Sequence, residues 1–207
     1  MGFYSQVIFP HLLDWAMSNP TFAKYREEVL AEVEEEVLEI GFGTGLNLSY
    51  YPPSLEKLVT VDPNLGSNKI AQKRIQASNI SVDNRVLNGE NLPMNDATFD
   101  AVVSTWTLCS IEKVEQALSE IYRVLKPGGK FYFIEHGLSN EPQVQLWQNR
   151  LNPLQNIIAD GCNLNRNMRE LIQKQFDSLA VEEFYLEDLP KVGAYMYQGV
   201  ATKRNNS

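Results

Sequence analysis

The chain has 207 residues, is 43% hydrophobic and carries a formal net charge of −8 at pH 7. A chain of this size buries one full core and needs neither disulfides nor metal to fold. Its acidic balance argues against a nucleic-acid partner, since such binding draws on lysine and arginine. The two cysteines, Cys109 and Cys162, show no disulfide framework and no metal-ligand spacing. We therefore predict a reducing, cytoplasmic location and no metal site.

The N-terminal region differs in character from the rest of the chain. Residues 1–34 are predicted to be a helical segment, ahead of a single folded domain of residues 35–207. Met1–Met17 is no signal peptide, since it lacks a basic start and is interrupted by Pro10 and Asp14. No apolar run in the chain approaches the length of a membrane span.

The first 17 residues are nevertheless too apolar for a free tail. Their apolar side chains are Phe3, Tyr4, Val7, Ile8, Leu12, Leu13, Ala16 and Met17. They should either fold over a ligand site as a lid or rest on a membrane surface. Because basic residues are scarce there, attraction to anionic lipid is disfavoured, and we predict a lid.

Strand-like and helix-like segments then alternate. A helix is predicted from Pro20 to about Val33, with Asn19 as its cap. Five strands are predicted at Val37–Ile40, Leu58–Val61, Val82–Leu87, Phe99–Thr105 and Lys130–His136. Helical segments are predicted between them at Leu46–Tyr50, Lys69–Ala77 and Val114–Leu125, the last ending at a turn formed by "KPGG". This alternation is typical of a parallel sheet covered on both faces.

The C-terminal part changes this rhythm. Two helices, Pro142–Ile158 and Arg166–Phe176, precede the strand-like runs "SLAVEEFYLE" and "AYMYQGVATK". A short segment with proline and glycine joins these runs, as in an antiparallel hairpin. The predicted fold is therefore α/β, with a doubly wound, mostly parallel sheet of seven strands whose last strand, about Tyr195 to Thr202, is antiparallel.

A glycine-rich turn, "LEIGFGTG", follows the first strand. Such a turn places a ligand at the carboxyl ends of the strands, near free N–H groups of the following helix. Asp62 ends the second strand, where an acidic side chain accepts hydrogen bonds from ribose hydroxyls. The spacing differs from the G-x-G-x-x-G of dinucleotide sites, because Gly45 comes one place too early to serve a pyrophosphate. The pattern indicates an adenosine-containing cofactor with a small zwitterionic end.

Four motifs occur in order: "LEIGFGTG", "VTVDPN", "GENLP" with "FDAVVS", and "RVLKPGG". From about Tyr25 onward the chain thereby resembles the class I S-adenosylmethionine-dependent methyltransferases. The resemblance implies a Rossmann-like fold and S-adenosylmethionine as the cofactor.

The resemblance also implies a role for individual residues. It implies that residues of the glycine turn and of the end of strand four contact the methionine moiety. These residues are Glu39, Gly41, Gly43, Gly45, Thr105 and Trp106. On the adenosine side it implies Asp62 for the ribose, with Pro63, Asn64, Glu90 and Asn91 beside the adenine. Two of these residues have structural alternatives: Gly45 could serve helix packing, and Asn91 could cap a turn.

A narrower similarity comes from "TLCSI", "FYFIEHG", "DGCNL" and the "GVATK" ending. These segments look like the methyltransferase-like family that contains the animal microsomal alkyl-thiol S-methyltransferases. The N-terminal segment departs from their long apolar anchor, which disfavours membrane attachment, and Phe42 stands where they carry cysteine. The implied acceptor is a small apolar thiol. A lipid or quinone acceptor, or a non-catalytic cofactor-binding module, remains an alternative.

Two residues are candidates for catalysis. His136, at the end of the fifth strand, could remove a proton from an amine or carbon acceptor, whereas a thiolate needs no strong base. Asp160, in "ADGCN", could line an acceptor pocket. Each has a structural alternative, since a strand-end histidine is often hydrogen-bonded and an aspartate often caps a turn. Neither cysteine is expected to act covalently, because methyl transfer to an external acceptor requires no enzyme nucleophile.

Overall fold

The computed structural model describes residues 2–187 and 189–205. Its helices alternate with strands over most of the chain. A π-helical turn, Tyr4–Ile8, runs into α1 (Phe9–Met17), followed by α2 (Pro20–Leu30), α3 (Leu65–Ala77), α4 (Val114–Val124), α5 (Pro142–Ile158), α6 (Met168–Gln175) and the short α7 (Lys191–Ala194). A 3-10 turn, Leu46–Ser49, follows the glycine-rich motif.

Seven strands form one sheet. They are β1 (Val37–Ile40), β2 (Lys57–Val61), β3 (Ser81–Arg85), β4 (Phe99–Thr105), β5 (Leu125–His136), β6 (Ser178–Tyr185) and β7 (Tyr195–Thr202). Their spatial order is β3-β2-β1-β4-β5-β7-β6, and β7 runs antiparallel to both of its neighbours. The predicted seven-stranded α/β sheet with a reversed last strand is confirmed.

Each face of the sheet is covered by an apolar helix surface. On α4, the side chains Ala117, Leu118, Ile121 and Val124 are all no more than 1% exposed. They recur at helical spacing, so a single stripe of the helix faces the sheet. On the other face, Val29 and Leu30 of α2 pack with Val37 of β1. Burying a Leu or Ile side chain stabilises the fold by about 1.5–3 kcal/mol, so these stripes hold the layers together.

Several element boundaries differ from the predictions. The helix α3 begins at Leu65 instead of Lys69, because the Asn64 side chain accepts hydrogen bonds from Gly66 N at 2.9 Å and Ser67 N at 3.1 Å and so caps it. After α4 the "KPGG" segment is the start of β5 and not a turn. There Gly128 adopts a φ of +78°, and the register of β5 against β4 shifts, so the strand accommodates the irregularity.

The N-terminal segment packs across the carboxyl edge of the sheet. The Tyr4 hydroxyl donates to the Ile158 carbonyl at 2.6 Å, and the Asn64 side chain donates to the Ser5 carbonyl at 2.9 Å. A salt bridge of 2.8 Å joins Asp14 of α1 to Arg74 of α3. Within residues 2–187 and 189–205, no helix combines the length and the apolar character that crossing a membrane requires.

Candidate functional site

A cavity of about 400 Å³ opens at the carboxyl ends of β1, β2 and β4. Its wall is formed by the segments that follow these three strands, and α1 contributes a further side. Small-molecule sites commonly have volumes of about 300–1,000 Å³, and in doubly wound sheets they lie at this edge. The position and the size of the cavity therefore suit a cofactor.

The glycine turn after β1 is held in left-handed backbone conformations. The φ angles of Gly41, Gly43 and Gly45 are +77°, +56° and +79°. A Cβ on Gly41 would lie 2.0 Å from the Thr107 Oγ1 atom, so this glycine lets the loop after β4 approach. A Cβ on Gly43 would meet no protein atom closer than 3.8 Å, although Gly43 lines the cavity. Gly45 packs against Phe42 and does not line the cavity.

Asp62 ties the glycine turn to the end of β2. Its carboxylate accepts hydrogen bonds from Gly43 N at 2.8 Å and from Asn64 N at 2.7 Å. The side chain lines the cavity, and burial raises the pKa of this carboxyl while the two backbone N–H groups oppose the shift. Each carboxylate oxygen can accept more than one hydrogen bond, so Asp62 retains capacity for a ligand's hydroxyls.

Glu39 lies at the centre of a buried polar network behind the glycine turn. Its carboxylate accepts hydrogen bonds from Asn47 Nδ2 at 2.8 Å and from the Tyr51 hydroxyl at 2.7 Å. Asn47 also accepts from Arg26 Nε at 3.1 Å and donates to Thr105 Oγ1 at 3.0 Å. Burial raises the pKa of Glu39 to about 7, against the effect of these hydrogen bonds. The sequence predictions did not include Arg26, Asn47 or Tyr51.

Trp106, directly after β4, adopts a strained backbone conformation in the cavity wall. Its φ is +50°, a region that costs a bulky residue about 1–3 kcal/mol. The Arg26 guanidinium lies 4.8 Å from the ring centre, and Phe22 meets the ring edge-on at 5.2 Å. Among the described residues, the buried indole Nε1 has no hydrogen-bond partner. Such strain and an unpaired donor are typical of functional sites.

The loop between β3 and β4 contributes part of the adenosine side. Glu90 lines the cavity, and its carboxylate accepts a hydrogen bond from Lys113 N at 2.9 Å. The structure does not bring Asn91 to the cavity wall, where Asn88 and Gly89 lie instead. Pro63 and Asn64 do line the cavity, as their place in the motif predicts.

The two candidate catalytic residues occupy different places. Asp160 lines the cavity with a left-handed φ of +46°, and its carboxylate accepts a hydrogen bond from the Ser5 hydroxyl at 2.6 Å. His136 lies outside the residues that line the cavity. Its Nε2 atom is 2.9 Å from Cys162 Sγ, which is itself 3.7 Å from Cys109 Sγ. The contacts with Cys109 and His136 lower the pKa of Cys162 to about 4, against the effect of burial.

A buried carboxylate that the sequence analysis did not identify positions the loop after β4. Glu135 Oε1 accepts hydrogen bonds from Ser104 Oγ, Thr107 N and Leu108 N, each at 2.9 Å. Its Oε2 accepts a longer one, 3.4 Å, from Cys109 N. Because the side chain is fully buried, its own pKa is raised. A charged residue inside an apolar strand is the signal in the sequence that could have identified this role.

Comparisons with known proteins agree with this geometry. A family model described as a methyltransferase domain matches residues 38–133. Thiol S-methyltransferase TMT1B of Rattus norvegicus is 40% identical over 156 residues, which cover 72% of this chain and 63% of that protein. Thiol S-methyltransferase TMT1A of Homo sapiens is 34% identical over 168 residues, which cover 75% of this chain and 68% of that protein. The chain thus spans about two thirds of the length of these relatives.

Two more distant matches extend the comparison. A demethylmenaquinone methyltransferase of Symbiobacterium thermophilum is 31% identical over 133 residues, which cover 59% of this chain and 53% of that protein. The crystal structure of an S-adenosylmethionine-dependent methyltransferase of Thermotoga maritima has the same fold, with a TM-score of 0.68 at 21% identity, and covers 95% of this chain and 96% of its own. With relatives of this identity and coverage, the chain belongs to the class I S-adenosylmethionine-dependent methyltransferases, and its cofactor is S-adenosylmethionine.

Proposed function

We propose that this chain transfers the methyl group of S-adenosylmethionine to the sulfur atom of a small apolar thiol. The 34–40% identity to two thiol S-methyltransferases carries the choice of acceptor. The composition of the cavity wall supports it, because polar groups at the strand ends face apolar side chains of α1, namely Phe9, Leu13 and Met17. Such a wall suits a cofactor with polar ends next to an apolar acceptor.

The residues present fit the cofactor. Gly43 lines the cavity without a side chain, and no protein atom would lie closer than 3.8 Å to an added Cβ, which suits a ligand that approaches the backbone closely. Asp62 offers carboxylate lone pairs for the ribose hydroxyls, and Asn64 and Glu90 line the cavity on the adenosine side. When bound, S-adenosylmethionine supplies an electrophilic methyl group, so the tasks left to the protein are binding, orientation and exclusion of water.

The groups that line the cavity suit an acceptor that is already ionised. Among the described residues, no histidine or lysine lines it. His136, the candidate base, lies behind the wall in contact with Cys162. A thiol loses its proton more readily than an amine or a carbon acid and reacts as its thiolate, so it needs no strong general base where the site favours the ionised form. Asp160 and Trp106 then serve to orient the acceptor.

The N-terminal helix serves as a lid in this proposal. Phe9, Leu13 and Met17 of α1 contribute to the cavity wall, and α1 is fixed by the salt bridge from Asp14 to Arg74. Arg74 in turn donates to the Thr44 carbonyl of the glycine turn at 2.9 Å. These contacts of α1 support the prediction that residues 1–34 form a lid over the site of the domain of residues 35–207 and keep water from the reacting atoms.

A quinone or lipid acceptor is the second candidate. It is supported by the 31% identity to a demethylmenaquinone methyltransferase and by the same apolar wall. Methylation at carbon requires a proton to be removed, and among the described cavity residues the side chains able to accept it are carboxylates, such as Asp160 and Glu112. A non-catalytic cofactor-binding module would bind S-adenosylmethionine and methylate neither class.

Isotope-labelled S-adenosylmethionine separates these functions. The protein is incubated with it and with alkyl thiols, amines or quinols, and the products are identified by mass spectrometry. We expect an S-methylated thiol. Methylation of a quinol with no thiol product would refute the thiol proposal in favour of the alternative. No methylated product, together with tight cofactor binding, would favour a binding module.

The proposed cofactor contacts are tested with two aspartate variants. Asp62→Ala removes the ribose acceptor, whereas Asp83→Ala removes an acid on β3 that pairs with Arg85 outside the cavity. Because a hydrogen bond to a charged group contributes about 1.5–3 kcal/mol, we expect Asp62→Ala to weaken S-adenosylmethionine binding roughly 10- to 150-fold in calorimetry. The Asp83→Ala protein should bind normally. Equal affinities would remove Asp62 from the site, and circular dichroism checks that both variants fold.

A further inference from the structure

Three side chains that bind soft metals meet behind the cavity wall. Cys109 lies in the loop after β4, His136 ends β5, and Cys162 lies in the turn after α5. Their Sγ and ring nitrogen atoms all lie within 4.8 Å of one another. The segments that carry them, "TLCSI", "FYFIEHG" and "DGCNL", are those of the narrower family similarity, and methyl transfer as proposed above uses none of the three side chains.

This cluster is adjacent to the cofactor cavity but distinct from it. None of the three residues lines the cavity, whereas Ser110, next to Cys109, and Asp160, two residues before Cys162, do. Cys109 is only 3% exposed, and Cys162 is half-buried. A ligand bound here would therefore connect two wall segments from behind without occupying the cofactor's space.

The sulfur positions match those around a tetrahedral metal ion. Two thiolates bound to one Zn²⁺ at about 2.3 Å lie about 3.8 Å apart. The Cys109 and Cys162 sulfur atoms lie 3.7 Å apart. A disulfide would require about 2.05 Å, so the sulfur atoms would have to approach by about 1.7 Å. Hydrogen bonds with Asn163 at 3.0 Å and Glu135 at 3.4 Å hold the backbone of Cys109, so that approach would have to come from rotation of the side chains.

The histidine completes a set of three ligands. Its Nε2 atom lies 2.9 Å from Cys162 Sγ, so a metal between them requires the two atoms to separate by roughly 0.6 Å. Among the described residues, the buried Nδ1 atom of His136 has no hydrogen-bond partner. No hydrogen bond on that side of the ring therefore opposes the adjustment. Two thiolates and one imidazole are ligands that favour Zn²⁺ over oxygen-preferring cations.

We propose that Cys109, His136 and Cys162 bind one thiophilic divalent cation, such as Zn²⁺, with three protein ligands and one open coordination position. Binding releases to solvent the Cys109 thiol proton and the proton held by the contact between Cys162 and His136, because the metal is bound by thiolates and a neutral imidazole. Three protein ligands with an open fourth position are typical of zinc sites that accept an exogenous ligand. The ion would hold together the loop after β4 and the turn after α5, which both contribute to the wall of the cavity.

Titration with Cd²⁺ alone, on the full chain after treatment with a chelator and a reductant, tests the site. The chain has two cysteines, so thiolate-to-metal absorption in the ultraviolet reports on this cluster. We expect one Cd²⁺ per chain, Zn²⁺ that competes for the same site, and a higher melting temperature with either ion. No binding while both thiols titrate as free would overturn the proposal. A second result would also overturn it: a Cys109–Cys162 disulfide that forms in air as readily in the presence of Zn²⁺ as in its absence.

The two histidines provide a matched pair of variants. His136→Asn removes a ligand, whereas His11→Asn changes the other histidine of the chain, which lies on α1. Because loss of an outer-shell partner alone lowers metal affinity by about 10- to 100-fold, we expect at least that loss in His136→Asn and none in His11→Asn. Equal affinities for the two variants would refute the role of His136. Cys162→Ser should abolish the absorption change, and S-adenosylmethionine binding checks that each variant is folded, separately from any thiol methylation.

Discussion

The glycine turn provides a matched test of why glycine is required at each position. Gly41 and Gly43 share a left-handed backbone, with φ of +77° and +56°. They differ in what an added Cβ would meet. At Gly41 it would lie 2.0 to 2.5 Å from three atoms of the Thr107 side chain, whereas at Gly43 the nearest atom is 3.8 Å away. Alanine at Gly41 should therefore damage the fold, and alanine at Gly43 should damage ligand binding.

The expected magnitudes follow from these contacts. A left-handed conformation costs a residue with a Cβ about 1–2 kcal/mol, and both variants carry this cost. Crowding in a packed site adds about 1–3 kcal/mol, which applies only to Gly41→Ala. We therefore expect the free energy of unfolding to fall by about 2–5 kcal/mol in Gly41→Ala and by about 1–2 kcal/mol in Gly43→Ala. An extra methyl group against a bound ligand changes affinity by about 10- to 200-fold, so Gly43→Ala should weaken S-adenosylmethionine binding by that factor.

Urea unfolding followed by circular dichroism measures the first quantity, and calorimetry measures the second. The slope of unfolding free energy against urea should be the same for both variants, so that a shifted midpoint reports stability. Equal destabilisation of the two variants would refute the assignment of Gly41 to the approach of Thr107. Unchanged cofactor affinity in Gly43→Ala would show that no ligand approaches the backbone at that position.

Three further predictions concern buried acids and the lid. The pKa of Glu39 is about 7 in the folded chain and 4.5 for an unperturbed glutamate, so between these pH values the folded state binds more protons than the unfolded state. The free energy of unfolding should therefore fall by up to about 3 kcal/mol as the pH rises from about 4.5 to 7. In urea unfolding, Glu39→Gln should show a weaker dependence of stability on pH. Glu135→Ala should lower the unfolding free energy by about 3 kcal/mol or more, since several buried N–H groups lose their acceptor. Glu135→Gln should lower it less, because three of the four hydrogen bonds converge on one oxygen; equal losses would contradict that reading. Leu13→Ala should weaken S-adenosylmethionine binding about tenfold, whereas Leu12→Ala, whose side chain is 52% exposed, should not, and identical calorimetric affinities would argue against a lid.

The α/β sheet with a reversed last strand could be predicted because local patterns indicate it. Apolar runs of strand length, separated by helical stripes such as that of α4, imply crossovers in a parallel sheet, and the final pair of runs implied a reversal. Boundaries were less predictable where one residue serves two roles. Asn64 was assigned to the adenine through its motif, yet its side chain also caps α3 and moves the start of that helix to Leu65. The "KPGG" segment has the composition of a turn, but pairing with β4 draws it into β5.

In the candidate site, residues of short motifs could be predicted, whereas residues brought together from distant parts of the chain could not. The glycines and Asp62 lie in short motifs, and the structure gathers most of the residues that these motifs indicate around one cavity. Arg26 and Tyr51 reach Glu39 or its partner Asn47 from other elements, and no spacing along the chain connects them. The grouping of Cys109 with His136 and Cys162 was likewise invisible to an argument from ligand spacing, since Cys109 and Cys162 are 53 positions apart.

The reversed strand β7 has a consequence for how the chain emerges from the ribosome. In the described sheet, β6 pairs with β7 alone, whereas β7 also pairs with β5. Synthesis completes β6 first, so this strand has no partner until residues Tyr195–Thr202 have been made. Until then β5 also presents an unpaired edge, a template for pairing with other chains. The edges of β5, the strand that carries Glu135, and of β6 therefore stay without their native partner until β7 has been made, and β7 then pairs with both.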